Sequence, residues 1–166
     1  MFSRRSFASL SVAAVAALPL ARALAALPAA SPTGARFPLT LTEAQWRARL
    51  SPAAFEVLRH EDTERPYTSP LLAEHRRGTF ACAGCALPLF SSTTKFESGT
   101  GWPSFYAPLP RAVGTRADGS LNMERTEVHC QRCGGHLGHV FDDGPRPTGL
   151  RYCMNGVAMT FAAATA

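Results

Sequence analysis

The sequence predicts a mainly β domain, antiparallel in its pairing, with small helices at its N-terminal side. Three observations carry that expectation. Beyond Pro66 the chain runs in short stretches of alternating apolar and polar residues, broken by clusters of Gly and Pro. Thirteen Gly and 13 Pro in 166 residues supply the turns such a fold needs. Before Pro66, two helix-start signals stand back to back. Apolar residues make up 46% of the chain and charged ones 17%, which suits a folded core and excludes a disordered tract. The length fits one domain.

The first 25 residues form a segment of their own. Arg4 and Arg5 make a charged start, an apolar run extends from Leu10 to Leu20, and Ala23-Leu24-Ala25 offers a small-residue cleavage site. The run is shorter than the roughly 20 residues of a membrane span. Ser3-Arg4-Arg5-Ser6-Phe7 has the look of a twin-arginine signal, with a Sec signal carrying two adjacent arginines as the alternative, and either gives the expectation of an exported, periplasmic protein with no stable membrane association after processing. The formal charge of +5 falls by three when Arg4, Arg5 and Arg22 leave with residues 1–25, to +2. So small a charge argues against a nucleic-acid partner. Residues 26–38, rich in Ala, Pro, Ser and Thr, read as a linker, and the catalytic domain is placed at 39–162.

Thr42-Glu43-Ala44-Gln45 is a capping-box pattern that opens a helix to about Leu50. Ser51-Pro52 is an N-cap with proline at the first helical position, starting a second helix to about Arg59. Its Ala54, Phe55 and Leu58 share one face and are expected in the core. Strands are predicted at 78–81, 87–90, 124–129, 139–141, 150–155 and 157–161, with turns at Asp118-Gly119 and Asp143-Gly144.

Five cysteines carry most of the chemistry. Cys82-Ala83-Gly84-Cys85 and Cys130-Gln131-Arg132-Cys133 are two C-x-x-C pairs, each with glycine in or just after it. Such knuckles present two thiolates apiece, and four thiolates complete a closed tetrahedral Zn²⁺ site, which is structural because no coordination position stays open. Disulfides are the other use of paired cysteines in an exported protein. A bond inside C-x-x-C closes a very small loop and is of the labile, catalytic kind, which favours zinc here.

Cys153 remains. In a strand over Arg151-Tyr152-Cys153-Met154-Asn155, Arg151, Cys153 and Asn155 share a face, and that trio is not an ordinary core. A neighbouring guanidinium favours a thiolate, and an amide can hydrogen-bond a substrate or an adjacent side chain. Upstream, His136 and His139 are three residues apart and can supply a general acid, with Asp142 and Asp143 close enough in sequence for one of them to orient a ring. Trp102, in the glycine-bearing stretch from Phe96 to Phe105, can line an apolar pocket or lie in the core.

Taken together, the blocks Phe96–Phe105, His136–Phe141, Asp143-Gly144-Pro145, Gly149–Cys153 and Asn155 resemble the signature of methionine-R-sulfoxide reductases of the B class, from about Leu39 to Phe161. The paired C-x-x-C motifs resemble that family's zinc-bearing forms. The resemblance implies two antiparallel β-sheets, with a zinc site of Cys82, Cys85, Cys130 and Cys133 away from the active centre. It implies that Cys153 attacks the sulfoxide sulfur and that His136 and His139 hold the acid and oxygen-binding positions. Asp143, Arg151 and Asn155 would organise water, histidines and Cys153, and Trp102 would hold the substrate methyl. It favours oxidised proteins or peptides as substrate. Many members carry a resolving cysteine where this chain has Thr100, and no uncommitted cysteine remains. The sulfenic acid on Cys153 is therefore expected to need an external thiol, from glutathione or a thioredoxin-like protein. Three rivals are weaker. A zinc-ribbon nucleic-acid module leaves the Arg151-Cys153-Asn155 face unexplained, a repurposed binding protein leaves the retained thiol and histidines unexplained, and a Cys-His hydrolase lacks a signalled oxyanion hole.

Overall fold

A computed structural model of the chain describes residues 37–120 and 123–165. The predicted export signal and the linker up to residue 36 lie outside the described residues. Helices α1 (Glu43–Arg49) and α2 (Pro52–His60) precede nine strands: β1 (Gly78–Cys82), β2 (Pro88–Ser91), β3 (Lys95–Phe96), β4 (Ser104–Phe105), β5 (Val113–Asp118), β6 (Arg125–Cys130), β7 (His136–Phe141), β8 (Arg151–Met154) and β9 (Met159–Ala163). No helix among the described residues is long and apolar enough to cross a membrane.

Both helix starts form as their local chemistry dictates. The Thr42 hydroxyl accepts from the Gln45 amide while the Gln45 side chain accepts from the Thr42 amide, closing the capping box. Ser51 caps α2, and Pro52 occupies its first turn. Ala54, Phe55, Val57 and Leu58 are buried, and α2 packs against β7 and the 3-10 turn at Gly156–Ala158.

The strands form two antiparallel sheets, one ordered β2-β1-β9 and the other β3-β4-β8-β7-β6-β5. An aromatic stack joins them: Phe90 lies 4.4 Å from Phe105 ring to ring, Phe80 lies 4.9 Å from both Phe105 and Phe161, and Phe90 meets Tyr152 at 5.8 Å. Tyr152 of β8 and Phe105 of β4 are directly opposite each other in register, so this face of the six-stranded sheet builds the core. The opposite face is left for chemistry, because side chains alternate along a strand.

Two predicted elements differ in detail, and the strands β3, β4 and β5 have no predicted counterpart. β7 begins at His136 instead of His139, carried through Gly138, whose φ of 151° no alternation pattern reveals. The segment predicted as a strand from Val157 starts as a 3-10 turn, with the Ala158 amide donating to the Asn155 carbonyl, and β9 follows at Met159–Ala163. β5 was not expected, since Val-Gly-Thr-Arg-Ala-Asp offers no apolar alternation. It is an edge strand held by pairing with β6 from Val113 to Asp118.

Candidate active site and metal centre

Strand register assembles the site. Ser104 of β4 pairs with Cys153 of β8, Cys153 with His139 of β7, His139 with Glu127 of β6, and Glu127 with Arg116 of β5. Directly opposed residues point to the same face, so these five form one row across the sheet. The row falls on the face away from the aromatic core. A bulge between Val128 and His129 skips Leu137 in the ladder, so His136 pairs with His129 and its ring reaches Glu127 from the same side. The two histidine rings meet edge to face with centroids 5.4 Å apart.

Cys153 and His139 line a cavity of about 120 Å³ with Trp102, Asn155, Phe141, Arg125, Gly138 and Thr63. The Trp102 indole N–H donates to the Glu64 carbonyl at 2.9 Å, which fixes the ring at the rim. Asn155 is buried and ties three segments together: its amide group donates to the Leu137 carbonyl at 3.2 Å, and its side-chain oxygen accepts from the Glu64 amide at 2.9 Å. Arg151 forms a two-pronged pair with Asp143, both contacts at 2.8 Å, and its guanidinium lies over the Phe141 ring at 4.3 Å. That carboxylate, with a smaller contribution from the Cys153 sulfur, holds Arg151 more firmly charged than usual, and Asp143 is held below the ordinary carboxylate range in return.

The structure thus brings Cys153, His139, Trp102 and Asn155 around one cavity and places His136 behind His139. Asp143 touches Arg151 and neither histidine. The rings are oriented by two residues that the sequence did not single out. His139 Nε2 lies 2.7 Å from the Asp118 carboxylate, and Arg125 binds the same oxygen at 2.7 Å. The Ser120 amide and His139 hold Asp118 well below the usual carboxylate range. Burial depresses the His139 pKa, outweighing the Asp118 hydrogen bond. His136 Nδ1 lies 2.8 Å from Glu127, whose side chain is 2% exposed. Burial pushes Glu127 up, but His129, His136 and the charge of Arg116 prevail and lower it to about 2. A signal for Glu127 existed: alternation along β6 sends Val128 and Cys130 one way and Glu127 and His129 the other.

Thr100 faces the thiol, with its hydroxyl 3.6 Å from Cys153 Sγ. Behind it the Ser98 hydroxyl lies 2.8 Å from Thr100 and 2.7 Å from Ser104.

The remaining thiols form the candidate metal centre. Cys82, Cys85, Cys130 and Cys133 bring four Sγ atoms within 4.8 Å of one another. Cys82–Cys133 and Cys85–Cys130 are 3.7 and 3.5 Å apart, close to the edge of about 3.8 Å for a tetrahedron with Zn–S bonds of about 2.3 Å. None of the five cysteines is in a disulfide. The two knuckles repeat one hydrogen-bond pattern. Ala86 N–H donates to Cys82 O and Gly134 N–H to Cys130 O, while Cys82 N–H donates to Leu87 O and Cys130 N–H to Gly135 O. Ala86 and Gly134, each four residues past its first cysteine, both have positive φ, of 57° and 67°. Guanidinium groups of Arg49, Arg59 and Arg132 donate to the carbonyls of Gly84, Cys133 and Cys85, surrounding the cluster with positive charge. The donor set and its spacing fit a metal ion.

A family model described as the SelR domain matches residues 50–163. A peptide methionine sulfoxide reductase MsrB of Thiobacillus denitrificans is 54% identical over 121 residues, covering 72% of this chain and 92% of the relative. The Pseudomonas putida protein of the same name is 56% identical over 119 residues, covering 70% and 89%. That of Methanosarcina barkeri is 51% identical over 121 residues, covering 72% and 85%.

Proposed function

The chain belongs to the SelR-domain family of peptide methionine sulfoxide reductases, and from that premise we propose that it reduces the R epimer of protein-bound methionine sulfoxide with Cys153 as nucleophile. The observation that carries this reading is the direct opposition of Cys153 and His139 in a small cavity rimmed by Trp102. The sulfoxide oxygen leaves only after it gains a proton, and a positioned acid is worth about 10²–10⁴-fold in rate. The Cys153 sulfur attacks the sulfoxide sulfur, the S–O bond breaks, and oxygen passes to Cys153. The substrate sulfur is reduced to methionine, and Cys153 is oxidised to a sulfenic acid that keeps the oxygen and one proton. Two external thiols then release water and form their own disulfide. Thr100 beside Cys153 offers no second sulfur, and the other four thiols are gathered in the cluster, which supports an external donor such as glutathione or a thioredoxin-like protein. Zinc in that cluster is structural in this reading, cross-linking the turn after β1 to the turn after β6. The leader supports export to the periplasm.

The test is an assay of the processed protein with separate R and S epimers of a methionine sulfoxide peptide and dithiothreitol, beside Cys153→Ser. R-selective turnover that the substitution abolishes is the expected result. Turnover of neither epimer by folded, zinc-loaded protein would remove the reading, and cell fractionation tests export separately.

A further inference from the structure

A polar cavity of about 380 Å³ adjoins the Cys153 cavity. The two share Thr63, Arg125 and His139, and the larger adds Asp118, Glu127 and His136. We propose that Glu127 is a positioning residue for the reduction: its carboxylate fixes the buried His136 ring as the Nδ1–H tautomer and leaves Nε2 unprotonated, to take up the proton that the Cys153 thiol loses on attack and return it to the leaving sulfoxide oxygen. The proposal rests on the sulfoxide-reduction reading above.

The geometry allows one assignment. An ionised carboxylate only accepts, so at 2.8 Å from Glu127 Oε1 the His136 Nδ1 is the donor. His136 is 3% exposed, and its Nε2 is buried with no hydrogen-bond partner among the described residues. A buried ring nitrogen without a partner is costly, and such a cost is characteristic of working sites. Glu127 itself is buried, charged and in the same cross-sheet row as Cys153 and His139. Arg116 of β5 approaches Oε2 with Nε at 2.5 Å and Oε1 with Nη2 at 3.3 Å. His129 of β6 is 3.4 Å from Oε2, and His136 and His139 come from β7. Glu61, after α2, pairs with the outer side of Arg116. The nearest strong donor apart from His136 is thus the Arg116 guanidinium.

Glu127→Gln therefore has a defined consequence. The new amide is expected to turn its carbonyl to the closer Arg116 contact at the Oε2 position, which leaves its NH₂ against His136 Nδ1 and the longer Arg116 Nη2 contact. His136 then accepts at Nδ1 and carries its proton on Nε2, the inverted tautomer, with almost no change of shape. The expected result is a fall in kcat of about 100-fold with KM unchanged, the loss of one well-placed proton-transfer group. Long-range ¹H–¹⁵N correlation spectra of the zinc-loaded protein read the tautomer directly. Nδ1–H is expected in the wild type and Nε2–H in Glu127→Gln. Glu127→Asp, which keeps the charge, is expected to restore the Nδ1–H tautomer and part of the kcat. Wild-type kcat in Glu127→Gln would overturn the proposal. So would an Nε2–H tautomer in the wild type, a result that needs no variant to fold. The wild-type assay with both epimers separates these outcomes from failure of the reduction itself.

Discussion

Gly138 is where the fold and the chemistry constrain each other most tightly, and Gly138→Ala is the sharpest test of the register argument. Gly138 of β7 sits opposite Met154 of β8 with a φ of 151°. A Cβ there would lie 2.2 Å from the Cys153 carbonyl oxygen, 3.0 Å from Met154 Cα and 3.1 Å from the Cys153 carbonyl carbon. All three are backbone atoms, so no side-chain rotation relieves the contact. An ordinary C···O approach is about 3.3 Å or more, so β7 and β8 must part by about 1 Å. The φ itself costs a residue with a side chain about 1–3 kcal/mol. His139 is the next residue and opposes Cys153, so the parting falls on the pair proposed to carry the chemistry. Misplacement by about 1 Å costs on the order of 100-fold, which is about 2.7 kcal/mol of barrier. The expected outcome is a kcat/KM about 100-fold below wild type for the R-sulfoxide peptide, with metal content retained and a lower melting temperature. The assay is steady-state peptide reduction, with metal analysis and thermal melts on the same preparation. Wild-type kcat/KM in folded, metal-loaded Gly138→Ala would refute the claim that β7–β8 register sets the catalytic geometry.

Three further outcomes follow from the same structure. Chelating the metal is expected to unfold the domain, because structural zinc contributes on the order of 10 kcal/mol and typical domain stability is about 5–15 kcal/mol; a melting curve unmoved by a strong chelator, with metal loss verified, would contradict this. Thr100→Cys places a second sulfur where a hydroxyl now stands 3.6 Å from Cys153 Sγ, so one turnover without reductant is expected to leave an internal disulfide, read as a loss of about 2 Da from the reduced mass. Retention of a sulfenic acid in that variant would show that Thr100 is not placed to resolve Cys153. Glu127 is held at about 2 against an ordinary 4.5, so it stabilises the fold above pH 4.5 and loses that contribution as pH falls from 4.5 towards 2. The contribution is about 3 kcal/mol. Chemical denaturation of wild type and Glu127→Gln across that window is expected to converge as pH falls, and parallel curves would dispose of the linkage.

Much of this protein was legible in its sequence because much of it is local. The capping box of α1, the Ser51 cap of α2 and the two knuckles depend on neighbours within a few residues, and the helix starts form as their caps predict. The four-cysteine centre was legible because each C-x-x-C pair makes half a tetrahedron by itself, and only the meeting of the halves is tertiary. Cys153 stood out as the thiol left over and as part of a family block. What only the tertiary structure decided is which distant charge meets which ring. His139 lies four residues before Asp143 in sequence yet hydrogen-bonds Asp118, and His136 meets Glu127 through a bulge that no residue pattern announces. Hydrophobic alternation reports which face of a strand is buried. It says nothing of the partner strand or the register, because those are set by packing between whole sheets and by turns of fixed length. Strand β5 shows the same limit: with little apolar signal of its own, it exists because β6 presents an edge to pair with, and it carries Asp118 to His139 and Arg116 to Glu127.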